Sequence, residues 1–435
     1  MIGKLLLCGG YLLLGLWIIQ RSRLFKQTEL SDRAFLLLYG VRLLAGLAYV
    51  YVFFSMLHGG DALQMYRGGR VVWEAFQEDP AIYFRLIFGP NGGFVETPVY
   101  KYAFATNYWD HFDKWNIIRF HALLSPITMG SYWVHVVIFT AMNVWGSLLF
   151  YEAFRQMTTI PKRLLFVLVF LMPSLLLFTS MMYKEGFLYF GLALIIYHMW
   201  QLDQSWSWKS FFGVLLGLAL FFLFRQVFFG LILGCLMLFL FGKMMKWSHW
   251  QPYLFTVVLS LVIGLSADHF IDQVDVLRTI STKQAAFISE VGESDFEVPY
   301  LEPNLQSFIC FLPIALQNAF LRPFLWDISE SYFALTGIGM IFFLALALLR
   351  ILFPKPDHRL HPWLLTLVLF SWSVLLLVGY LVSNVGTISR YRILPVFLLI
   401  IVLANAINWN EVLNFLPQWI KVLVQTETRD RNTPP

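Results

Sequence analysis

Charge is what this chain has least of: 13% of its 435 residues are Asp, Glu, Lys or Arg, about half the share in soluble domains. That scarcity excludes a separate soluble domain. Cysteine is scarce too, and Cys8, Cys235 and Cys310 lie in or beside apolar segments without metal-ligand spacing, which excludes a disulfide framework and a zinc site. There is no P-loop, Rossmann glycine set or serine-hydrolase elbow, and no internal repeat at a period of 20 to 50 residues. The net charge of +5 and pI near 9 do not point to nucleic acid, because the basic residues sit mostly in short loops beside apolar spans.

What is abundant is apolar surface, 59% of the residues with a mean hydropathy of +0.67. Two long apolar runs, 164–200 and 211–241, are each interrupted by charge, Lys184-Glu185 in the first and Arg225-Gln226 in the second. A helix of the first run's length would reach about 55 Å, whereas a hydrocarbon core is about 30 Å thick. Each run therefore folds as two shorter spans with its charge at the break. Ionisable groups at membrane depth cost roughly 2.5 kcal/mol or more unless they meet water or a partner, which makes them functional candidates.

Apolar windows predict an all-α, polytopic transmembrane helix bundle of about eleven spans: 2–20, 34–57, 132–150, 164–183, 186–200, 211–224, 227–241, 253–267, 333–352, 363–382 and 393–409. The first reads as a retained span, since Lys4 is its only early charge, no small-x-small cleavage site follows, and Arg21, Arg23 and Lys26 come just after it. Leu7-Cys8 lacks a lipobox. Residues 1–420 are expected to form one membrane domain, with long external loops at 58–131 and 268–331, and 421–435 as a polar cytoplasmic tail.

With the amino terminus outside, and with Lys4 and Arg42, near or inside the first two spans, left out, inner segments (Arg350 at its span's inner end included) carry 16 Lys and Arg against 8 Asp and Glu, and outer segments 13 against 18. The positive-inside rule favours that orientation. It places Asp61, Lys184, Glu185, Arg225, Arg322, Arg390 and Arg392 on the outer face. The first outer loop is rich in aromatics, among them Trp73, Tyr83, Tyr100 and Tyr108, as suits helices lying in the interface. The second turns apolar at 308–320, as a re-entrant or surface helix would. The outer segments hold no Asn-x-Ser/Thr acceptor, which fits a bacterial periplasmic face better than an ER lumen.

Gly59-Gly60-Asp61, followed by Tyr66, stands where the second span emerges. A carboxylate there, beside glycines that let the backbone approach a ligand, suits a general base; a helix C-cap followed by a solvated Asp is the plainer alternative. Lys184 suits a phosphate as a point charge, with Glu185 orienting it or acting on a proton, or the two simply neutralise each other in a wet turn. Arg225, Arg322, Arg390 and Arg392 suit bidentate phosphate recognition, or anchor helices at the headgroups. Five basic groups beside one carboxylate on one face, under an aromatic-rich loop, point to an anionic lipid-linked ligand.

In this layout the chain resembles the GT-C superfamily of membrane glycosyltransferases and the related polysaccharide-polymerase proteins of bacterial surface-glycan pathways. Gly60-Asp61 with Tyr66, Pro173-Ser174 with Lys184-Glu185, Leu321-Arg322-Pro323-Phe324, and Arg390-Tyr391-Arg392 with Pro395 carry the likeness. The chain differs in having one further span before the Asp61 helix, and one acid where many relatives have two. The resemblance implies sugar transfer from a polyprenyl-(di)phosphate donor to a glycan, lipid or protein acceptor at the periplasmic face of the inner membrane. Asp61 would act as base with Glu185 beside it, and Lys184, Arg225, Arg322, Arg390, Arg392 and Tyr66 would bind the donor. No cofactor is expected and a divalent metal is optional. Alternatives are a polymerase joining lipid-linked repeat units and, from another class, a transporter, flippase or non-catalytic subunit of an envelope assembly.

Overall fold

The computed structural model describes residues 2–52, 60–90, 97–247, 251, 253–258, 275–289, 294–322, 324, 331–356 and 360–415. Gly59, Pro323, the tail 421–435, most of the expected span 253–267 and parts of the loop 268–331 lie outside them. Among the described residues the chain is helical, without strands; two isolated bridges pair Asp295 with Asn384 and Pro354 with Ile407.

Four helices are long and apolar enough to cross a bilayer: α3 (Asp32–Tyr51), α8 (Tyr132–Met157), α13 (Gln226–Met244) and α17 (Pro362–Leu381). Two bent pairs pass the same test, α9 (Lys162–Phe170) with α10 (Pro173–Ser180), bent by 40°, and α18 (Val385–Tyr391) with α19 (Ile393–Asn405), bent by 49°. The protein is thus a helical membrane protein with four to six such spans among the described residues; the expected spans 2–20, 211–224 and 333–352 coincide with shorter apolar helices, and most of 253–267 lies outside the described residues. Some expected spans depart from one long straight helix for local reasons. The expected span 164–183 breaks before Pro173, whose missing N–H and ring cannot continue a helix but suit its first turn. Helix α12 (Trp208–Phe224) has 17 residues, and α11 (Lys184–Gln204) ends in the polar residues His198, Gln201, Asp203 and Gln204.

Helix starts follow their caps. Ser31 Oγ accepts Ala34 N–H (3.2 Å) at α3, and Asn384 Oδ1 accepts Thr387 N–H (3.0 Å) at α18. Pro362 occupies the first turn of α17 behind His361, whose Nδ1 accepts Trp363 N–H at 3.2 Å. These contacts satisfy N–H groups that a helix start leaves unpaired.

Contacts divide the chain into two compact units. The first holds residues 1–156, 169–171 and 176–229. Its loop 60–128 is helical throughout most of its described length: α4 (Asp61–Glu78), α5 (Pro80–Phe88), α6 (Thr97–Phe104) and α7 (Phe112–Thr128). Helices α4 and α7 approach closely because Gly69 has no side chain; a Cβ there would meet the Cβ of His121, with Ile118 O only 3.0 Å away. Helix α11 packs along α12, and Phe187 stacks on Phe224 with centroids 4.1 Å apart.

The second unit holds residues 157–168, 172–175 and 230–435. In it α15 (Leu305–Phe320), the apolar part of the second long loop, packs against α17, where Tyr380 stacks on Phe308 and Phe311 and donates to Phe308 O at 2.8 Å. Helix α17 packs in turn on α19, which is buried over most of its length.

Candidate functional site

Asp61 is the first residue of α4. Gly60 caps it with φ 110°, a left-handed conformation that favours glycine. The glycine therefore starts a helix rather than ending one, and Asp61 stands in the first turn, where the helix dipole favours a negative charge. Its two oxygens are divided between two phenols. Tyr108 OH lies 3.1 Å from Oδ1, and Tyr183 OH donates to Oδ2 at 3.1 Å. The Tyr108 hydroxyl also lies 2.7 Å from Gln64 Oε1. Burial, and then the Asp61 charge, push the Tyr108 phenol above its ordinary pKa, so it stays a hydrogen-bond donor.

The next residue after Tyr183 is Lys184, which begins α11 and forms an ion pair with Asp113. Asp113 lies in the first turn of α7, and its Oδ1 accepts Lys114 N–H at 2.8 Å. Partial burial raises the energy of its charge, yet Lys184 and then Arg225 outweigh that effect and hold the carboxyl below its ordinary pKa. Glu185 meets Arg225 at 3.4 Å; their side chains are 4% and 12% exposed. The second oxygen of Glu185, Oε2, is buried without a hydrogen-bond partner. Lys114 completes the group, its Nζ 4.4 Å from the Tyr108 ring centroid.

Three helix N-termini, those of α4, α7 and α11, thus each present a carboxylate, and the C-terminal end of α12 presents Arg225. Acid at helix starts and cation at a helix end is the favourable sense for each dipole. Asn116 ties the arrangement together by donating to Leu223 O at 2.9 Å. The three acids and the three cations, Lys114, Lys184 and Arg225, carry equal formal charge. Such a group can hold a phosphate if the ligand replaces a carboxylate as partner to a cation.

Asp61, Lys184, Glu185 and Arg225 are therefore parts of one region of the first unit. Tyr66, five residues beyond Asp61, is turned about 140° around the helix at 3.6 residues per turn. It donates to Gly130 O (2.6 Å) and packs on His121, Tyr132 and His135. Those histidines form a buried pair, Nδ1 to Nδ1 at 2.9 Å, with Thr128 on His135 Nε2. Arg322, Arg390 and Arg392 belong to the second unit. Arg322 lies 3.7 Å from the Phe296 ring centroid and donates to Asn318 Oδ1 at 3.1 Å. Arg390 reaches Thr387 Oγ1 at 3.4 Å, while Arg392 is buried and donates to Arg322 O. The two arginines flanking Tyr391 have different neighbours.

Asp113 and Tyr183 were not singled out from sequence, and Tyr108 only as one aromatic of the first outer loop. Their only signal is position: Tyr183 adjoins the flagged Lys184, and Asp113 lies two residues after His111, in the first turn of a helix. Arg42, inside the second span, is 2% exposed; it donates to Thr179 Oγ1 (3.1 Å) and lies 4.8 Å from the Tyr189 ring centroid. Among the described residues no three His, Cys, Asp or Glu side chains gather as a metal site. No protein-family model, curated protein or solved structure matches the chain.

Proposed function

We propose that this protein is a membrane glycosyltransferase that moves a sugar from a polyprenyl-(di)phosphate donor to an acceptor hydroxyl at the periplasmic face of a bacterial inner membrane. The observation that supports it is the Asp61 carboxylate, fixed by two phenols and set in the same cluster as Lys184 and Arg225. Asp61 takes the proton of the acceptor hydroxyl as its oxygen bonds to the anomeric carbon and the bond from that carbon to the donor phosphate breaks. Lys184 and Arg225 offset the charge gained by the leaving phosphate, a preorganised electrostatic role. Asp113 and Glu185 are the ion-pair partners of those two cations.

Purified protein incubated with membrane lipid extract should retain a polyprenyl phosphate detectable by mass spectrometry. Asp61→Asn should keep that lipid and lose about 100- to 10,000-fold in transfer rate, the usual contribution of a positioned base. Lipid retention without any dependence of transfer on Asp61 would rule out the assignment of the base, and failure to retain lipid would rule out the donor.

A transporter or flippase is the second reading, favoured by the two bent helix pairs and by the buried Arg392 at one of the bends. Broken helices that line a site within the membrane are a mark of transporters. Movement of a fluorescent lipid-linked sugar across proteoliposomes, unchanged by Asp61→Asn, would favour it over transfer.

A further inference from the structure

The first turn of α7 carries a third cation beside the two ion pairs of the Asp61 cluster. Lys114 donates its backbone N–H to Asp113 Oδ1, while its half-buried side chain lays the ammonium over the face of Tyr108, 4.4 Å from the ring centroid. The hydroxyl of that same ring lies 3.1 Å from Asp61 Oδ1, so Lys114 Nζ stands one phenol ring away from the candidate base. The neighbouring cations are held in another way: Lys184 forms an ion pair with Asp113, and Arg225 with Glu185. Lys114 is held by a ring face.

That difference decides which cation meets a phosphate first. A ring face holds an ammonium less strongly than a charge-assisted hydrogen bond does, so a phosphate oxygen gains by engaging Lys114. To engage Arg225 it must displace Glu185, whose side chain is 4% exposed, and a buried carboxylate without its cation is strongly unfavourable. The ligand's own charge also changes during transfer. The sugar–phosphate bond masks one negative charge, which the leaving phosphate recovers as that bond breaks. The charge present from the start suits Lys114, and the charge that develops suits the paired cations. An apolar surface adjoins the same turn of α7: Phe112 packs edge-on against Phe222 at 5.6 Å between centroids. Phe222 is 45% exposed and shares the outward face of α12 with Phe212, Leu215 and Leu216. A phosphate joined to an apolar chain finds both of its needs at the start of α7.

We infer that Lys114 is the residue that binds the phosphate of the lipid-linked donor in the ground state, with the apolar chain of that lipid lying against Phe112 and Phe222. The inference rests on the transferase reading for the class of ligand and adds a division of labour among the cations. Lys114 contacts the phosphate before and during transfer, so its loss weakens substrate and transition state alike and raises KM. Lys184 and Arg225 gain most as the leaving charge develops, so their contribution falls on kcat.

The test uses full-length protein in detergent, undecaprenyl phosphate as the probe, and native mass spectrometry to read binding. Lys114→Met removes the charge and keeps an unbranched side chain; it should bind the lipid about 10- to 100-fold more weakly, as the loss of one charge-assisted hydrogen bond implies. Lys114→Arg keeps a cation that suits phosphate and should recover most of the affinity. Excess inorganic phosphate should leave the lipid bound, since it has no chain to lie against Phe112 and Phe222. In release of lipid phosphate from a polyprenyl-linked sugar, the loss in Lys114→Met should fall on KM. If Lys114→Met does not fold, Lys114→Gln decides. Equal binding by wild type and Lys114→Met, a loss in Lys114→Arg as large as in Lys114→Met, or a loss confined to kcat overturns the role of Lys114 and leaves the transferase reading standing. Displacement by inorganic phosphate overturns the lipid chain as part of the ligand. A wild type that binds no lipid phosphate overturns both readings.

Discussion

The Asp61 cluster and the bend between α18 and α19 treat buried cations differently. In the first, Lys184 faces Asp113 and Arg225 faces Glu185. In the second, Arg392 meets a carbonyl and a cavity. Arg42 stands between these cases, satisfied in part by a hydroxyl and a ring face. A carboxylate partner fixes a cation in place and leaves it available only to a ligand that displaces the acid. The first arrangement suits a site that exchanges partners during a reaction.

The comparison can be broken most sharply by removing one cation from each unit. Arg225→Met leaves Glu185 in a buried position without its cation and should cost about 3–5 kcal/mol, largely restored when Glu185→Met is added. Arg392→Met strands no carboxylate among the described residues and should cost about 1 kcal/mol, the worth of one hydrogen bond. Unfolding in denaturant measures both, and equal losses would erase the distinction between the two regions.

Smaller effects sharpen the picture of the first unit. Gly69→Val forces α4 away from α7 and should destabilise by about 1–3 kcal/mol through overpacking, with transfer falling as the Asp61 helix moves. Tyr183→Phe removes one donor from Asp61 and should cost about 1 kcal/mol, leaving lipid retention intact. The smallest effect is on acid stability. Asp113 titrates below its ordinary value in the folded state, so its contribution is complete above about pH 4 and disappears as pH falls through the lower folded value. Asp113→Asn should flatten that acid limb; because the carboxylate is 37% exposed, solvent screening keeps the change to a few tenths of a kcal/mol or so.

Much of this was legible in the chain. Lys184, Glu185 and Arg225 stand out because charge inside a long apolar run is costly, and each does fall at a helix boundary. Gly60 before Asp61 marked a backbone irregularity, although it starts a helix instead of ending one. The helix breaks were less legible, because hydropathy reads composition over a window and is blind to where a helix breaks: Pro173 divides one apolar stretch, and Arg392 sits at the bend of another. Asp113, Tyr108 and Tyr183 were hidden for a different reason. In a loop of mixed charge and many aromatics nothing local separates a tyrosine that orients a carboxylate from one lying at the interface. Arg42 was visible as a charge within a span, but its contacts with Thr179 and Tyr189, more than 130 residues away, exist only in the fold.

The central claim is that Asp61 works as a base on a lipid-linked phosphate donor. Its most direct test is release of polyprenyl (di)phosphate from a radiolabelled polyprenyl-linked sugar in proteoliposomes, comparing wild type with Asp61→Asn at matched lipid binding. The account predicts release by the wild type and a loss of at least about 100-fold in the variant. Equal release by both proteins would contradict it.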